Sequence, residues 1–158
     1  MEFKKFTAGK VSYGVSDPPK KEYKNGITSV NFHDPNFDEH FKNKSHPNHA
    51  YIRKFTEIMG VCHTVVVENK KGVITYNASS PDELALVNIA KYFDFEFVGR
   101  DEDNNVLITE RGNELRYKLL NVIEFTSTRK RMTCVVVTPE NKIMVYTKGA
   151  DSIIIPLL

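Results

Sequence analysis

A chain of 158 residues with 41% hydrophobic and 27% charged side chains, 8 Gly and 7 Pro has the size and make-up of one folded domain, able to bury roughly 70% of the surface its unfolded chain exposes. A disordered tail, a collagen-like repeat and a disulfide-dense module are excluded. Its 22 basic and 20 acidic side chains leave a formal charge of +2, too little for a field that holds nucleic acid non-specifically, so any cationic site is local. Cys62 and Cys134 stand far apart in no CxxC pattern, which fits a reducing compartment and unpaired thiols. No apolar run approaches the roughly 20 residues a bilayer requires. Met1 to Lys10 holds Glu2, Lys4, Lys5 and Lys10 without an apolar block, so no signal peptide is expected.

In chain order, Met1 to Tyr13 mixes aromatics and lysines around Gly9 and reads as a short hairpin or edge strand. Ser16 to Gly26, with Asp17-Pro18-Pro19 and Asn25-Gly26, reads as a loop. Asp34 before Pro35 places an N-cap ahead of a first-turn proline, and Ser45-His46-Pro47 offers a similar opening. Two short helices follow from these, about 35–43 and 47–60. Val65-Val66-Val67, a turn from Asn69 to Gly72 and Val73-Ile74-Thr75-Tyr76 make a hairpin signature. Ser80-Pro81-Asp82-Glu83 opens a helix whose Leu86, Ile89, Ala90 and Phe93 form one apolar stripe ending near Phe93. Strand patterns then recur at Phe95 to Gly99, Val106 to Glu110, Leu115 to Phe125, Met132 to Thr138 and Ile143 to Thr147. The links between them are too short for parallel crossovers. The expected class is α+β: one twisted antiparallel sheet flanked by helices.

Most familiar chemistries fail on spacing. Gly9-Lys10 is followed by Val11 and preceded by no suitably placed glycine, so it is no Walker loop, and neither GxGxxG nor GxSxG occurs. His46 and His49 flank Pro47 with no third ligand to complete a metal site. Three segments fit a purine nucleotide, which needs a flat apolar face, an acceptor for its amino group and cations for its phosphates. Glu124-Phe125-Thr126-Ser127-Thr128-Arg129-Lys130-Arg131-Met132 sets an aromatic ring beside hydroxyls and three consecutive cations. Lys148-Gly149-Ala150-Asp151 ends another strand in a lysine, and Ser79 to Glu83 brings a carboxylate to a helix head. Each has a structural alternative: Phe125 as core, the basic triplet as a solvated strand end, and Lys148 as the guard of a sheet edge. Glu83 is also the reciprocating acid of the capping box Ser80-x-x-Glu83.

These segments carry a family resemblance. Tyr76-Asn77-Ala78-Ser79-Ser80-Pro81-Asp82-Glu83-Leu84-Ala85-Leu86-Val87, the stretch from Glu124 to Met132, and Lys148-Gly149-Ala150-Asp151-Ser152 resemble the nucleotide-binding domain of P-type ATPases, specifically the phospholipid-translocating flippases. Val61-Cys62-His63-Thr64-Val65 looks like the flippase segment ahead of the first motif. Met1-Glu2-Phe3-Lys4-Lys5 followed by Tyr13-Gly14 looks like the stretch just downstream of that family's phosphorylated aspartate. The departures are Asn77 for the usual glutamine, Leu84 for a small residue, Thr128 for an acid and Val67 for a frequent proline. The likeness is thin between residues 15 and 57 apart from Asn31-Phe32-His33-Asp34.

The resemblance implies a single nucleotide-binding domain over residues 1–158, with 15–57 its family-variable part, belonging to the cytosolic side of an integral membrane protein. Phe125 would stack on adenine, Glu83 would accept from its amino group, Ser127 and Lys130 would line the pocket, and Lys148 would sit over the base or near the phosphates. The ligand is ATP, as Mg-ATP in the intact enzyme, and the partners are the phosphorylation and actuator domains of the parent chain. The magnesium-binding acids and the phosphorylated aspartate fall outside these residues, so the chain alone is expected to be a monomer that binds without hydrolysing. The same resemblance extends to a flippase-like regulatory or scaffolding module, such as a guanylyl cyclase fusion, that binds nucleotide without pumping. Nucleic acid is not an expected partner.

Overall fold

The computed structural model describes residues 1–158. From the N-terminus, Phe6–Ala8 (β1) and Val11–Tyr13 (β2) pair across a turn at Gly9 and Lys10, both at positive φ. Only glycine suits the first of these, since a Cβ there would run into the Asn48 and Tyr51 side chains. Helices Phe37–Lys42 (α1) and His49–Val61 (α2) follow. Next come the hairpin Val66–Lys70 (β3) and Val73–Asn77 (β4), and helix Pro81–Tyr92 (α3). Five strands complete the chain: Phe95–Arg100 (β5), Val106–Glu110 (β6), Asn113–Ile123 (β7), Arg131–Val137 (β8) and Ile143–Gly149 (β9). A short helix Asp151–Ile154 (α4) and a 3-10 turn end it. No helix is long and apolar enough to cross a membrane.

Every ladder between these strands is antiparallel, and the class is α+β. The strands do not join one sheet, however: β5 to β9 form a meander in sequence order while the two hairpins stand apart. A bulge between Phe97 and Gly99 breaks the register of the edge strand β5. The β3–β4 hairpin docks there by a side chain instead of a ladder, its Tyr76 hydroxyl donating to the Phe97 carbonyl at 2.9 Å.

Two apolar clusters hold the elements together. Beneath the meander, Val61 and Cys62 of the α2 end meet Phe95, Phe97, Ile108, Tyr117, Cys134, Val136 and Tyr146. Behind the helices an aromatic cluster gathers Phe3, Phe6, Tyr13, Phe32, Phe37, Phe41 and Phe93. In it Phe6 stacks on Phe55 at 4.5 Å and Phe37 on Phe93 at 4.3 Å, each pair adding about 0.5–1.5 kcal/mol beyond its buried area. α3 lies between them and so buries two faces rather than one stripe: Val87 and Ala90 enter the first cluster, Ala85 and Ile89 the second. Asp34 does not begin α1 as expected. Its Oδ1 accepts from the Asn36 amide at 2.9 Å and its Oδ2 from the Gly14 amide at 2.8 Å, tying this turn to the N-terminal hairpin.

Candidate functional site

The head of α3 is opened by Ser80, whose Oγ accepts the Glu83 amide at 3.4 Å, and by Pro81 in the first turn. The reciprocal half of the capping box is missing. The Glu83 carboxylate turns outward, taking the Lys148 ammonium at 2.8 Å on Oε1 and the Thr64 hydroxyl at 2.9 Å on Oε2. Both charged side chains are mostly covered, 14% exposed for Lys148 and 16% for Glu83. Burial alone raises the carboxyl's pKa, but the Lys148 ion pair and the Thr64 hydrogen bond outweigh it, and the net displacement is below the usual 4.5. Glu83 is therefore a charged acceptor near neutral pH. Thr64 escaped the residue-by-residue reading because nothing in a lone threonine before a strand indicates that its hydroxyl meets an acid on another element.

The other expected residues sit on the loop between β7 and β8. Phe125 is 60% exposed and belongs to neither cluster, which removes the core alternative for it. β7 ends at Ile123, so Phe125 stands in the loop rather than on the strand. Ser127 and Lys130 are exposed as well. Of the three consecutive cations, Arg129 is spent on the loop itself: its Nη1 donates to the carbonyls of Ile123 at 3.2 Å, Glu124 at 3.0 Å and Arg131 at 3.2 Å. Lys130 adopts φ 52°, its amide donating to Thr126 O at 2.7 Å and its carbonyl accepting from Ala150 N at 3.1 Å.

Gly149, next to Lys148, lets the loop end lie against β9. A Cβ at this position would stand 2.5 Å from the Lys130 carbonyl oxygen and 2.6 Å from the Arg131 Cβ. The structure thus brings Glu83 and Lys148 into direct contact and anchors the foot of the loop bearing Phe125, Ser127 and Lys130 beside Lys148. It records no bond from Phe125, Ser127 or the Lys130 ammonium to that pair. No group of three or more His, Cys, Asp or Glu side chains is arranged to hold a metal. His46 instead stacks on His40 at 3.8 Å, and His49 bonds the Phe41 carbonyl at 2.7 Å.

Below the pair lies a sealed layer. Cys62 and Cys134 are free and buried. His63 bonds the Gly60 carbonyl through Nε2 at 3.0 Å and accepts the Val65 amide on Nδ1 at 3.2 Å, an arrangement that fits the neutral Nε2–H tautomer. Complete burial, then the nearby charges of Lys148 and Arg100, push its pKa down from 6.5 to about 3. Between those values the unfolded chain binds a proton that the folded one refuses, so stability falls as pH drops below 6.5. We expect acid to lower the unfolding free energy in that window by up to about 1.4 kcal/mol per pH unit. Denaturant melts from pH 7 to 5 should show the slope in the parent and a flatter one in His63→Asn; equal slopes would assign it elsewhere.

Comparison with known proteins supplies the frame for this geometry. The profile of the family described as P-type ATPase, cytoplasmic domain N, matches residues 51–157. Human phospholipid-transporting ATPase IC is 47% identical over 103 residues, covering 65% of this chain and 8% of the relative. Its Xenopus tropicalis namesake is 35% identical, covering 98% of this chain and 13% of that protein. Phospholipid-transporting ATPase C887.12 of Schizosaccharomyces pombe is 35% identical, covering 100% and 13%. The chain therefore spans about a tenth of the length of these relatives, and it belongs to the P-type ATPase family as a cytoplasmic N domain.

Proposed function

We propose that residues 1–158 form one ATP-binding domain of a phospholipid-transporting P-type ATPase, the cytosolic part that presents nucleotide to an aspartate in a separate phosphorylation domain. The observation that carries this reading is the Glu83–Lys148 pair at 2.8 Å beside an anchored loop whose one aromatic side chain is mostly in solvent. A carboxylate offers about four lone-pair directions. Glu83 uses two on Lys148 and the Thr64 hydroxyl, with a longer approach from the Thr64 amide at 3.4 Å. An acceptor remains for the adenine amino group without breaking the ion pair. Guanine presents a carbonyl at that edge and would meet the charge unfavourably, so selectivity for ATP follows. Lys148 keeps two further N–H donors for ring nitrogen or phosphate. Phe125 gives its open face to the base, and Ser127 and Lys130 border it. Transport, the partner domains and the membrane setting belong to the parent protein and are part of the same proposal.

The contacts available are one stacked base, about 1–3 kcal/mol, and hydrogen bonds to charged groups, about 1.5–3 kcal/mol each. Against the cost of association they leave an affinity on the order of 0.1–10 mM. Titrating the labelled chain with ATP while following amide shifts should move Phe125, Glu83 and Lys148 together along one saturating curve, with GTP weaker. Shifts confined to other parts of the chain would reject the assignment.

A further inference from the structure

We propose a second ligand site, remote from the first, that takes a small phosphate-bearing anion in the cleft between the end of α1, the start of α2 and the β6–β7 turn. The cleft has a volume of about 230 Å³, and its lining includes Phe41, Lys44, His49, Arg53, Glu110 and Arg111. It lies at the Asn113 end of β7, whereas the Phe125 loop leaves the Ile123 end. Those ends are roughly 33 Å apart along an extended strand.

Charge is in excess there. The one carboxylate, Glu110, is already engaged by Arg53 through Nε at 2.8 Å and Nη2 at 3.1 Å. Lys44 and Arg111 take part in no ion pair and supply the excess, since the remaining nitrogen of Arg53, Nη1, faces the Glu57 carboxylate at 3.7 Å. Arg111 is also held in place. It occupies φ 49° ahead of Gly112, a turn position that asparagine or glycine would fill with less strain. Its amide is tied to the Asp94 carbonyl at 3.2 Å, and its guanidinium lies 5.2 Å above the Phe41 ring. Since that stack covers the phenyl wall, the cleft does not offer that ring to a nucleobase. The α2 head at His49 adds to the field: its first turn holds no acid, and the Asn48 amide group donates to Ala8 O at 2.9 Å and to the Tyr13 hydroxyl rather than serving as a cap. Cations approaching from three elements suit a tetrahedral oxyanion better than a planar carboxylate.

Sodium pyrophosphate is the probe, added to the 158-residue chain at ionic strength held constant with NaCl. We expect saturable amide shifts at Lys44, His49, Arg111 and Gly112, with Phe125 and Lys148 unmoved. The double variant Lys44→Ala/Arg111→Asn keeps a residue that tolerates the turn, so its spectrum away from the cleft should match the parent while binding weakens by about tenfold or more. Shifts still linear at about 20 mM, shifts centred on the Phe125 loop, or a response unchanged in the double variant would each overturn the proposal. The ATP reading stands or falls separately, on the signals of Phe125, Glu83 and Lys148.

Discussion

Phe125→Ala is expected to weaken ATP binding by roughly five- to 150-fold, the range equivalent to losing one stacked base, and to leave the unfolding midpoint unchanged. The reasoning rests on where the ring is. At 60% exposure and outside both clusters, it contributes little buried surface for the fold to lose. The loop keeps its shape without the ring, because Arg129 fastens the Glu124 carbonyl and those of the flanking strand ends Ile123 and Arg131, and the Lys130 backbone bonds both Thr126 and Ala150. Phe95→Ala is the contrast: Phe95 is fully buried beneath the meander, and its truncation should cost about 3–5 kcal/mol. Calorimetric titration with ATP and denaturant melts on both variants separate the cases. A Phe125→Ala protein destabilised as much as Phe95→Ala would return Phe125 to the core, and one with unchanged affinity would remove it from the nucleotide site.

Local chemistry made much of this molecule legible before its coordinates. The turn within Val66–Asn77 is closed by the Asn69 side chain accepting the Gly72 amide at 2.9 Å, the interaction that an Asn followed by a glycine three residues on advertises. Ser80 and Pro81 started α3 where expected, and each strand of the meander fell within a few residues of its apolar run. What stayed hidden depends on partners distant in sequence. Phe3, Phe6, Phe32, Phe37, Phe41 and Phe93 follow no common period, so nothing in the chain order announces that they share a core. Asp34 resembles an N-cap until Gly14 claims one of its oxygens. Glu83 satisfied two readings equally, and only the position of Lys148 and Thr64 decides that its carboxylate leaves the helix cap. Arg129 counted as a phosphate-seeking cation because a basic triplet carries no sign of which member will fasten its own loop.

A substantial loss of stability should come from Glu57→Ala, at about 1–3 kcal/mol, the cost of leaving a buried polar partner unsatisfied, since the cations it pairs with, Arg53 and Lys54, are 25% and 45% exposed. Glu57 exposes 7% of its side chain. It accepts from the Tyr146 hydroxyl and from the Lys54 ammonium at 2.7 Å, with Arg53 Nη1 at 3.7 Å. Through these it clamps α2 to β9, and Arg53 continues the chain of charges to Glu110 on β6. Against a domain stability of about 5–15 kcal/mol, such a loss is a large fraction of the whole. Alanine leaves a buried phenol without its acceptor and Lys54 without its counter-charge, while Arg53 keeps Glu110. Tyr146→Phe deletes only the hydroxyl and should cost nearer 1–2 kcal/mol. The two changes should not add, because they break the same contact. The clamp also bears on the nucleotide site, since Tyr146 and Lys148 sit on one side of β9 two residues apart. At temperatures where both variants remain folded, Tyr146→Phe should therefore bind ATP like the parent and Glu57→Ala more weakly. Denaturant melts of the single and double variants provide the measurement. A Glu57→Ala loss below about 1 kcal/mol, the worth of an exposed pair, would mean that α2 and β9 are held by their apolar contacts alone.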